Sequence, residues 1–329
     1  PAAGRDWPPA VAWALLVAVL AFGVYGGSLA NGYAYDDFLV IAGNGKASTW
    51  PGWRAFVTRD YFDVSREISY RPVCTLSYYF DYLVLHGAGR PNRSFTHHLV
   101  NNLLHAANAA LLMWLLAALG IDRAAVLAAG LVFAVHPAAS EAVCLIGFRE
   151  DLLALGFCCA ALLARTAALR KRGPARAAAW AAMLFMAGLG LLSKETAMLL
   201  PALALACDYA TGAPKTPRRA RWNTIIALAL LSAGYALIRF DLLTTPYEVA
   251  LPLWSKDRWH AFLGACNILV LYGRLLLLPF GLTLEHVPPT GQELPPLRAA
   301  LAVAAVAAAL AAAAWAWRRH RPAGFAAVW

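Results

Sequence analysis

Long apolar runs, separated by short polar or charged breaks, recur along almost the whole chain. An α-helix needs about 20 predominantly apolar residues to cross a hydrocarbon core roughly 30 Å thick. The runs therefore predict an all-α polytopic membrane protein. The predicted helices cover residues 11–30, 99–119, 124–143, 152–169, 177–192, 196–210, 224–240, 262–282 and 297–317.

Basic residues are concentrated in short connections beside these runs, at residues 165–176, 215–221 and 318–321. Clusters of this kind are typical of cytoplasmic loops. Counting helices back from the first two clusters places residues 31–98 outside the cytoplasm. Three predicted helices separate the last two clusters, so one segment must be irregular if both clusters are inside. We expect the break in residues 262–282, which contain Gly273 and Pro279.

Composition agrees with a membrane protein and excludes other classes. The 329 residues are 61% hydrophobic and 14% charged, with a formal net charge of +10. A nucleic-acid-binding protein would show basic residues interleaved with exposed aromatics on one soluble face, and no such stretch is present. The cysteines lie mostly in or beside apolar runs, which favours packing over a disulfide framework. We expect membrane lipids, and no nucleic acid, among the partners.

Residues 31–98 form a long loop rich in aromatic residues, which predicts short helices along the membrane interface. Near its start are two adjacent carboxylates, Asp36 and Asp37. Neighbouring carboxylates repel each other, so one tends to a raised pKa, as a general base for a hydroxyl nucleophile requires. The alternative is an ordinary solvated helix end.

Polar residues follow one face of the second predicted helix. His98, Asn101 and His105 recur at helical spacing, and Asn108 continues the stripe. The stripe indicates either a ligand pocket or hydrogen bonds between helices, which are common in membranes. The sequence defines no metal-binding set, because imidazoles alone do not specify one, although a divalent metal stays open as a cofactor.

Charged residues also occupy the other connections that the count places outside the cytoplasm. Charges at such boundaries should pair with each other or with a ligand. The cations suited to a phosphate are Arg71, Arg149, Lys194 and Arg274. The residues suited to a sugar pocket, or to pairing those cations, are Tyr70, His98, Asn101, His105, His136, Glu141, Glu150, Asp151 and Glu195. A purely structural ion-pair network is the alternative.

An extracytoplasmic site has no nucleotide-activated sugar, so a glycosyltransferase there needs a donor delivered by the membrane, such as a polyprenyl phosphate sugar. Its leaving group is a phosphate, which needs cations, and the acceptor hydroxyl needs a base. Both kinds of residue are present among the candidates.

Several of these motifs, in this order, resemble the signature of the transmembrane and tetratricopeptide-repeat O-mannosyltransferases. The likeness runs from about residue 31 to about residue 286, with Phe148 where the family commonly has Gly. The motifs are Tyr35-Asp36-Asp37, Ser69-Tyr70-Arg71-Pro72, His98-x-x-Asn101-x-x-x-His105, His136-Pro137 with Glu141, Arg149-x-Asp151, Ser193-Lys194-Glu195 and residues 272–282.

The resemblance implies a GT-C-like bundle of transmembrane helices, with residues 1–329 as a single domain and residues 31–98 as its structured first extracytoplasmic loop. It also implies a lipid-linked donor, dolichyl or undecaprenyl phosphate mannose, and inverting transfer to Ser or Thr of an acceptor protein. Asp36 or Asp37 would be the base. The composition suits a bacterial inner membrane with a periplasm-facing site, and the endoplasmic reticulum with a lumenal site is the eukaryotic equivalent. We expect the chain to continue beyond residue 329, where tetratricopeptide repeats would lie.

Three other functions stay open. A GT-C transferase of the same fold could act on a lipid or glycan acceptor. A lipid transporter would place ionisable residues near the bilayer midplane with repeat symmetry, whereas here they gather at helix ends. A non-catalytic membrane assembly subunit could have kept the fold.

Overall fold

The structure, a computed structural model, describes residues 8–44, 46, 50–83, 94–211, 216–243, 257–283 and 294–319. Within these residues the regular elements are helices, and no strand occurs. The short apolar stretch at residues 325–329 lies outside the described residues. The α-helices are α1 (Pro8–Val24), α2 (Asp60–Ser65), α3 (Pro72–Phe80), α4 (Ser94–Ala118), α5 (Arg123–Val135), α6 (Ser140–Cys144), α7 (Arg149–Arg170), α8 (Gly173–Leu191), α9 (Leu200–Ala210), α10 (Arg218–Leu237), α11 (Arg258–Leu277) and α12 (Pro296–Arg319).

Six of the described helices are long and apolar enough to cross a membrane, and the prediction of an all-α polytopic membrane protein is confirmed. They are Ser94–Ala118, Ile146–Arg170, Gly173–Leu191, Arg218–Phe240, Arg258–Leu277 and Pro296–Trp315. In the last of these, only 11% of the apolar window is buried by the protein. Leu297 and Leu301 are 72% and 61% exposed, as expected for side chains that face lipid.

The predicted break in residues 262–282 is wrong, because Arg258–Leu277 is one continuous helix. Gly273 lies inside it without interrupting it, and Pro279 follows its end, so the proline ring removes no helical hydrogen bond. A bend occurs instead in the third predicted span, where Arg123–Val135 and Pro137–Cys144 meet at 50°. Pro137 lacks an N–H, and the preceding His136 is extended, with ψ 124°.

Two other predicted spans are shorter α-helices continued by tighter turns. The first span consists of α1 and a 3-10 helix at Gly26–Ala30. The predicted helix at 196–210 begins as a 3-10 helix, Glu195–Leu199, and continues as α9. Neither α1 nor α9 reaches the length of about 20 residues that a straight span needs.

The helices of the bundle approach closely where small residues line their contacts. At Gly156 of α7, an added Cβ would lie 2.6 Å from Asn108 Oδ1 on α4. The same asparagine donates from Nδ2 to Leu152 O on α7 at 2.8 Å. Gly130 of α5 similarly leaves room for the Met113 side chain, which a Cβ would meet at 2.7 Å. Small residues and buried amides thus join these helices, as is common in membranes.

The described part of residues 31–98 is folded, as predicted. It contains short helices at Phe38–Ala42, Trp53–Val57, Asp60–Ser65 and Pro72–Phe80. Its aromatic residues form a buried cluster that includes Phe56, Tyr61, Phe62, Tyr70 and Tyr79. The hydroxyl of Tyr70 donates to Phe56 O at 2.6 Å, which satisfies its polar group inside the cluster. The described part of this segment is therefore a folded region with its own buried aromatic cluster.

The chain divides into two compact units. The first contains Pro1–Leu205 with Pro214–Pro246, and the second contains Ala206–Ala213 with Tyr247–Trp329. The first unit holds α1 to α8, α10 and the folded loop, and the second holds α11 and α12. A single domain over residues 1–329 stays a prediction.

Candidate functional site

The two adjacent carboxylates lie in a tight turn and have different surroundings. Tyr35, just before them, has φ +53°, an uncommon left-handed conformation for a non-glycine residue. Asp37 is 1% exposed, and its Oδ2 accepts from Ala34 N–H at 3.0 Å. Its Oδ1 accepts from Gly147 N–H at 2.6 Å. Both oxygens of Asp37 are therefore used to hold the turn.

Asp36 lies beside Asp37 and is exposed. A Cβ added at Gly147 would be 3.5 Å from Asp36 Cβ and 3.2 Å from Asp37 Oδ1, so the turn sits closely on this glycine. The Tyr35 ring stacks on Phe148, with centroids 6.4 Å apart. The acidic turn is thus docked on residues 146–148, directly before α7, with the Asp36 carboxylate on its open side.

Arg149, the first residue of α7, is fully buried and holds several elements together. Its Nε donates to Asn101 Oδ1 at 2.7 Å, and its Nη2 donates to His97 O at 3.0 Å. Its Nη1 lies 2.6 Å from Asp81 Oδ2 and 3.1 Å from Ser77 Oγ. Asp81 is also fully buried. The sequence did not single it out, because it is one carboxylate within an aromatic stretch. Leaving either charge without its partner would cost about 3–5 kcal/mol.

The polar stripe of α4 makes hydrogen bonds to the backbone of neighbouring elements. His98 Nε2 lies 3.1 Å from Gly32 O, and His105 Nε2 lies 3.3 Å from Ala134 O. Asn101 Nδ2 donates to Leu145 O at 3.0 Å. These side chains are fully buried, so in this structure the stripe connects helices instead of opening into a pocket.

A second group of charges forms an ion-pair network from distant parts of the chain. Arg71 Nη1 lies 3.0 Å from Glu150 Oε1, and its Nη2 lies 3.2 Å from Glu195 Oε2. Lys194 Nζ lies 2.6 Å from Asp151 Oδ2 and 3.6 Å from Glu150 Oε1. These five residues and Arg239 form a group that we call the ion network. Five of the predicted site residues therefore meet here.

Arg239 is a member of the ion network that the sequence reading missed. Its Nε lies 3.5 Å from Glu195 Oε1, and its Nη2 donates to Ser69 Oγ at 3.2 Å. Nearby, Tyr235 OH donates to the backbone oxygen of Tyr70 at 3.4 Å. A lone arginine near the end of the predicted helix at 224–240 was the available indication.

Glu67 borders the ion network and has an unusual protonation behaviour. Burial, and next the nearby Glu150, raise the pKa of Glu67 to about 8, although Arg71 acts in the opposite direction. For Glu195, burial acts upward, but the charges of Arg71 and Arg239 hold the pKa of this carboxyl below its usual value. Near neutral pH, Glu67 at the border of the network is therefore mainly protonated, whereas Glu195 inside the network is ionised.

Three further predicted site residues are not members of the ion network. His136 Nδ1 accepts from Ala138 N–H at 3.1 Å, so the ring caps the turn at Pro137. Glu141 is exposed in the first turn of α6. Arg274 belongs to the second unit, where its Nη2 donates to Phe280 O at 3.4 Å.

The acidic turn and the ion network are joined by the start of α7. Asp37 binds the backbone of Gly147, and only four residues later Asp151 pairs with Lys194. Glu150, between them, pairs with Arg71. Residues 147–151 thus contact both the turn that contains the exposed Asp36 and the partly exposed cations Arg71 and Lys194. This arrangement suits a reaction in which a proton is removed beside a leaving anion.

Among the described residues, no three or more His, Cys, Asp or Glu side chains are arranged to hold a metal ion. His97 places its Nδ1 2.7 Å from Asp81 Oδ2, beside the buried Arg149.

Comparison with known proteins gives consistent matches. The family described as Dolichyl-phosphate-mannose-protein mannosyltransferase matches residues 92–240. Protein O-mannosyl-transferase Tmtc2 of Drosophila melanogaster is 32% identical over 281 residues, which are 79% of this chain and 29% of that protein. Protein O-mannosyl-transferase Tmtc1 of the same fly is 34% identical over 194 residues, 57% of this chain and 22% of that protein.

A vertebrate relative agrees with the fly proteins. Protein O-mannosyl-transferase TMTC2 of Mus musculus is 31% identical over 202 residues, 59% of this chain and 23% of that protein. The chain thus spans less than a third of the length of these curated relatives, between 22% and 29%. No solved structure matches the chain.

Proposed function

We propose that the protein, as a member of the transmembrane and tetratricopeptide-repeat O-mannosyltransferases to which it is similar, transfers mannose from a polyprenyl phosphate to Ser or Thr hydroxyls of proteins. The supporting observation is the docking of the Asp36-Asp37 turn, through Gly147, onto the segment whose next residues pair with Arg71 and Lys194. A base and a set of cations are what this displacement requires.

Asp36 is the base in this proposal, and Asp37 positions it. Asp36 is exposed, whereas Asp37 is 1% exposed and both of its oxygens accept backbone N–H groups, so an acceptor hydroxyl can reach Asp36 more easily. The acceptor hydroxyl loses its proton to Asp36, its oxygen bonds to the anomeric carbon, and the bond from that carbon to the phosphate oxygen breaks. A single displacement of this kind inverts the anomeric configuration.

The leaving phosphate gains negative charge as this bond breaks, and the ion network would stabilise it. Lys194 is the best placed cation, because its partner Asp151 is 39% exposed and is therefore a weakly held competitor. Arg71 and Arg239 hold buried or half-buried carboxylates and would support the phosphate at longer range. Arg149 has its donors occupied by Asp81, Asn101, Ser77 and His97, so we assign it to positioning α7.

We place this site on the extracytoplasmic face, in a GT-C-like domain, because the basic connections at residues 165–176 and 215–221 lie at the opposite helix ends. The donor would then be dolichyl phosphate mannose in a eukaryote or undecaprenyl phosphate mannose in a bacterium. The acceptor would be bound outside the described residues or by a further part of the protein.

The full-length protein, reconstituted in liposomes with radiolabelled polyprenyl phosphate mannose and a Ser/Thr-rich peptide, tests this proposal. We expect labelled peptide whose glycosidic bond has the configuration opposite to that of the donor. Transfer from a nucleotide sugar without the lipid donor, or retention of configuration, would contradict it.

The role of Lys194 is tested by Lys194→Gln, which removes the charge and keeps a polar, slightly shorter side chain. We expect transfer to fall by roughly 10²-fold, because a cation at a developing charge contributes about that much. The matched control is Lys171→Gln, an exposed lysine at the end of α7 that lies outside the ion network. Equal rates for both variants in the reconstituted assay would remove Lys194 from the phosphate site.

A further inference from the structure

The second unit contains a groove with a different chemistry. It has a volume of about 430 Å³ and lies between α11 and α12. Its walls include Leu301, Ala302 and Ala305, and Arg274, Arg298 and Asn267 bring polar groups to it. The volume falls in the range of small-ligand pockets, roughly 300–1,000 Å³.

A buried amide in this groove lacks a hydrogen-bond acceptor. Asn267 is 5% exposed, and its Oδ1 accepts from Arg298 Nε at 3.2 Å. Its Nδ2 is buried, and within the described part of the chain it has no hydrogen-bond partner. Leaving such a donor unsatisfied in a buried position is unfavourable. The amide is therefore suited to donate to a ligand oxygen.

The described charged residues of the groove are both cations. Arg274 and Arg298 line it, and among the described lining residues there is no carboxylate. Arginine is well matched to phosphate oxygens, which accept two parallel hydrogen bonds from one guanidinium. A phosphate between these arginines could also accept from Asn267 Nδ2, which would satisfy the buried amide.

We propose that this groove binds the head group of an anionic glycerophospholipid from the surrounding bilayer. Leu276 and Leu297, near the ends of the two helices, are 63% and 72% exposed and offer apolar surface to the acyl chains. Basic pockets between transmembrane helices bind anionic head groups in this way. None of the described lining residues is a carboxylate that could act as a base for sugar transfer, so we assign the groove to a bilayer lipid and not to the sugar donor. The inference does not depend on the proposed function.

Native mass spectrometry of the detergent-purified full-length protein tests this, with phosphatidylglycerol and phosphatidylcholine as probes. We expect one phosphatidylglycerol to be retained at concentrations about tenfold or more below those needed for phosphatidylcholine, since two cations contact the head group. The double variant Arg274→Gln/Arg298→Gln should lose this preference. Arg258→Gln, which removes an exposed arginine of α11 outside the groove, should keep it.

A second variant separates lipid loss from loss of folding. Ala305→Leu narrows the groove and leaves both arginines in place, so it should also lose the bound lipid, with an unchanged elution volume in size-exclusion chromatography. Equal retention of the two lipids by the wild type would overturn the proposal. The proposal would also be overturned if Ala305→Leu and the double variant retained phosphatidylglycerol as the wild type does. Displacement of phosphatidylglycerol by equimolar polyprenyl phosphate would overturn it too.

Discussion

At the scale of single residues, the same side chain has different roles because its surroundings differ. Asp36 and Asp37 are neighbours in sequence, but Asp37 is buried with both oxygens bonded to backbone N–H groups, while Asp36 is exposed. Glu67 and Glu195 both border Arg71, yet burial raises the pKa of Glu67 to about 8 and the cations keep that of Glu195 low.

The pKa of Glu67 predicts a pH dependence of stability. A glutamate in an unfolded chain titrates near roughly pH 4.3, whereas Glu67 titrates at about 8 in the folded protein. The folded state therefore holds an extra proton between these values, and the stability it contributes is lost as the pH rises through about 8. Glu67→Gln should abolish this loss. The decrease in unfolding temperature from pH 5 to pH 9 should therefore be smaller for Glu67→Gln than for the wild type.

The matched control is Asp60→Asn, which neutralises an exposed carboxylate in the same loop. It should leave the difference between the two pH values as in the wild type. Thermal unfolding of the three proteins in one detergent measures this. Parallel curves for the wild type and Glu67→Gln would show that Glu67 is ionised in the folded protein at neutral pH.

At the scale of elements, helix contacts depend on glycines and buried amides that the sequence gives only in part. The stripe of His98, Asn101 and His105 was visible from its spacing, but spacing could not distinguish a pocket from hydrogen bonds to neighbouring helices. In the structure the three side chains contact backbone oxygens of neighbouring elements, and their role in a sugar pocket stays a prediction. The bend at Pro137 was not anticipated, because Gly273 and Pro279 offered a similar composition, although Gly273 lies inside a continuous helix and Pro279 follows its end.

The contact between α4 and α7 gives a prediction about Gly156. In Gly156→Ala the added Cβ would meet Asn108 Oδ1 and force the helices apart, at a cost of about 1–3 kcal/mol. Gly188→Ala in α8 is the matched control, because nothing lies within 4 Å of its added Cβ. It should be neutral or stabilise by up to about 1 kcal/mol through helix propensity. A stable Gly156→Ala protein in thermal unfolding would show that this close approach is not required.

At the scale of the whole molecule, the ion network unites residues 71, 150, 151, 194, 195 and 239 in the first unit. The sequence named five of these, because a charge beside an apolar run is conspicuous. It could not give their pairing, since which helix ends meet depends on packing over more than a hundred residues. Asp81, buried under Arg149, was hidden for the same reason.

The predicted orientation of the protein in the membrane can be tested by labelling introduced cysteines. In bacterial spheroplasts expressing the protein, Leu39→Cys, at an exposed position beside the acidic turn, should react with a membrane-impermeant maleimide from outside. Lys171→Cys, between α7 and α8, should react only after lysis. Replacing Cys144, the native cysteine that is not fully buried, by Ser lowers the background. Labelling of Leu39→Cys only after lysis would contradict an extracytoplasmic site.

The central claim is that Asp36 accepts the proton and Asp37 holds the turn. Mannosyl transfer by reconstituted Asp36→Asn and Asp37→Asn, together with their unfolding temperatures, tests it most directly. Asp36→Asn should fold like the wild type and lose about 10²–10⁴-fold in rate. Asp37→Asn should unfold at a lower temperature, because its amide would face a backbone N–H that now donates to a carboxylate oxygen. A wild-type rate in Asp36→Asn would contradict the assignment.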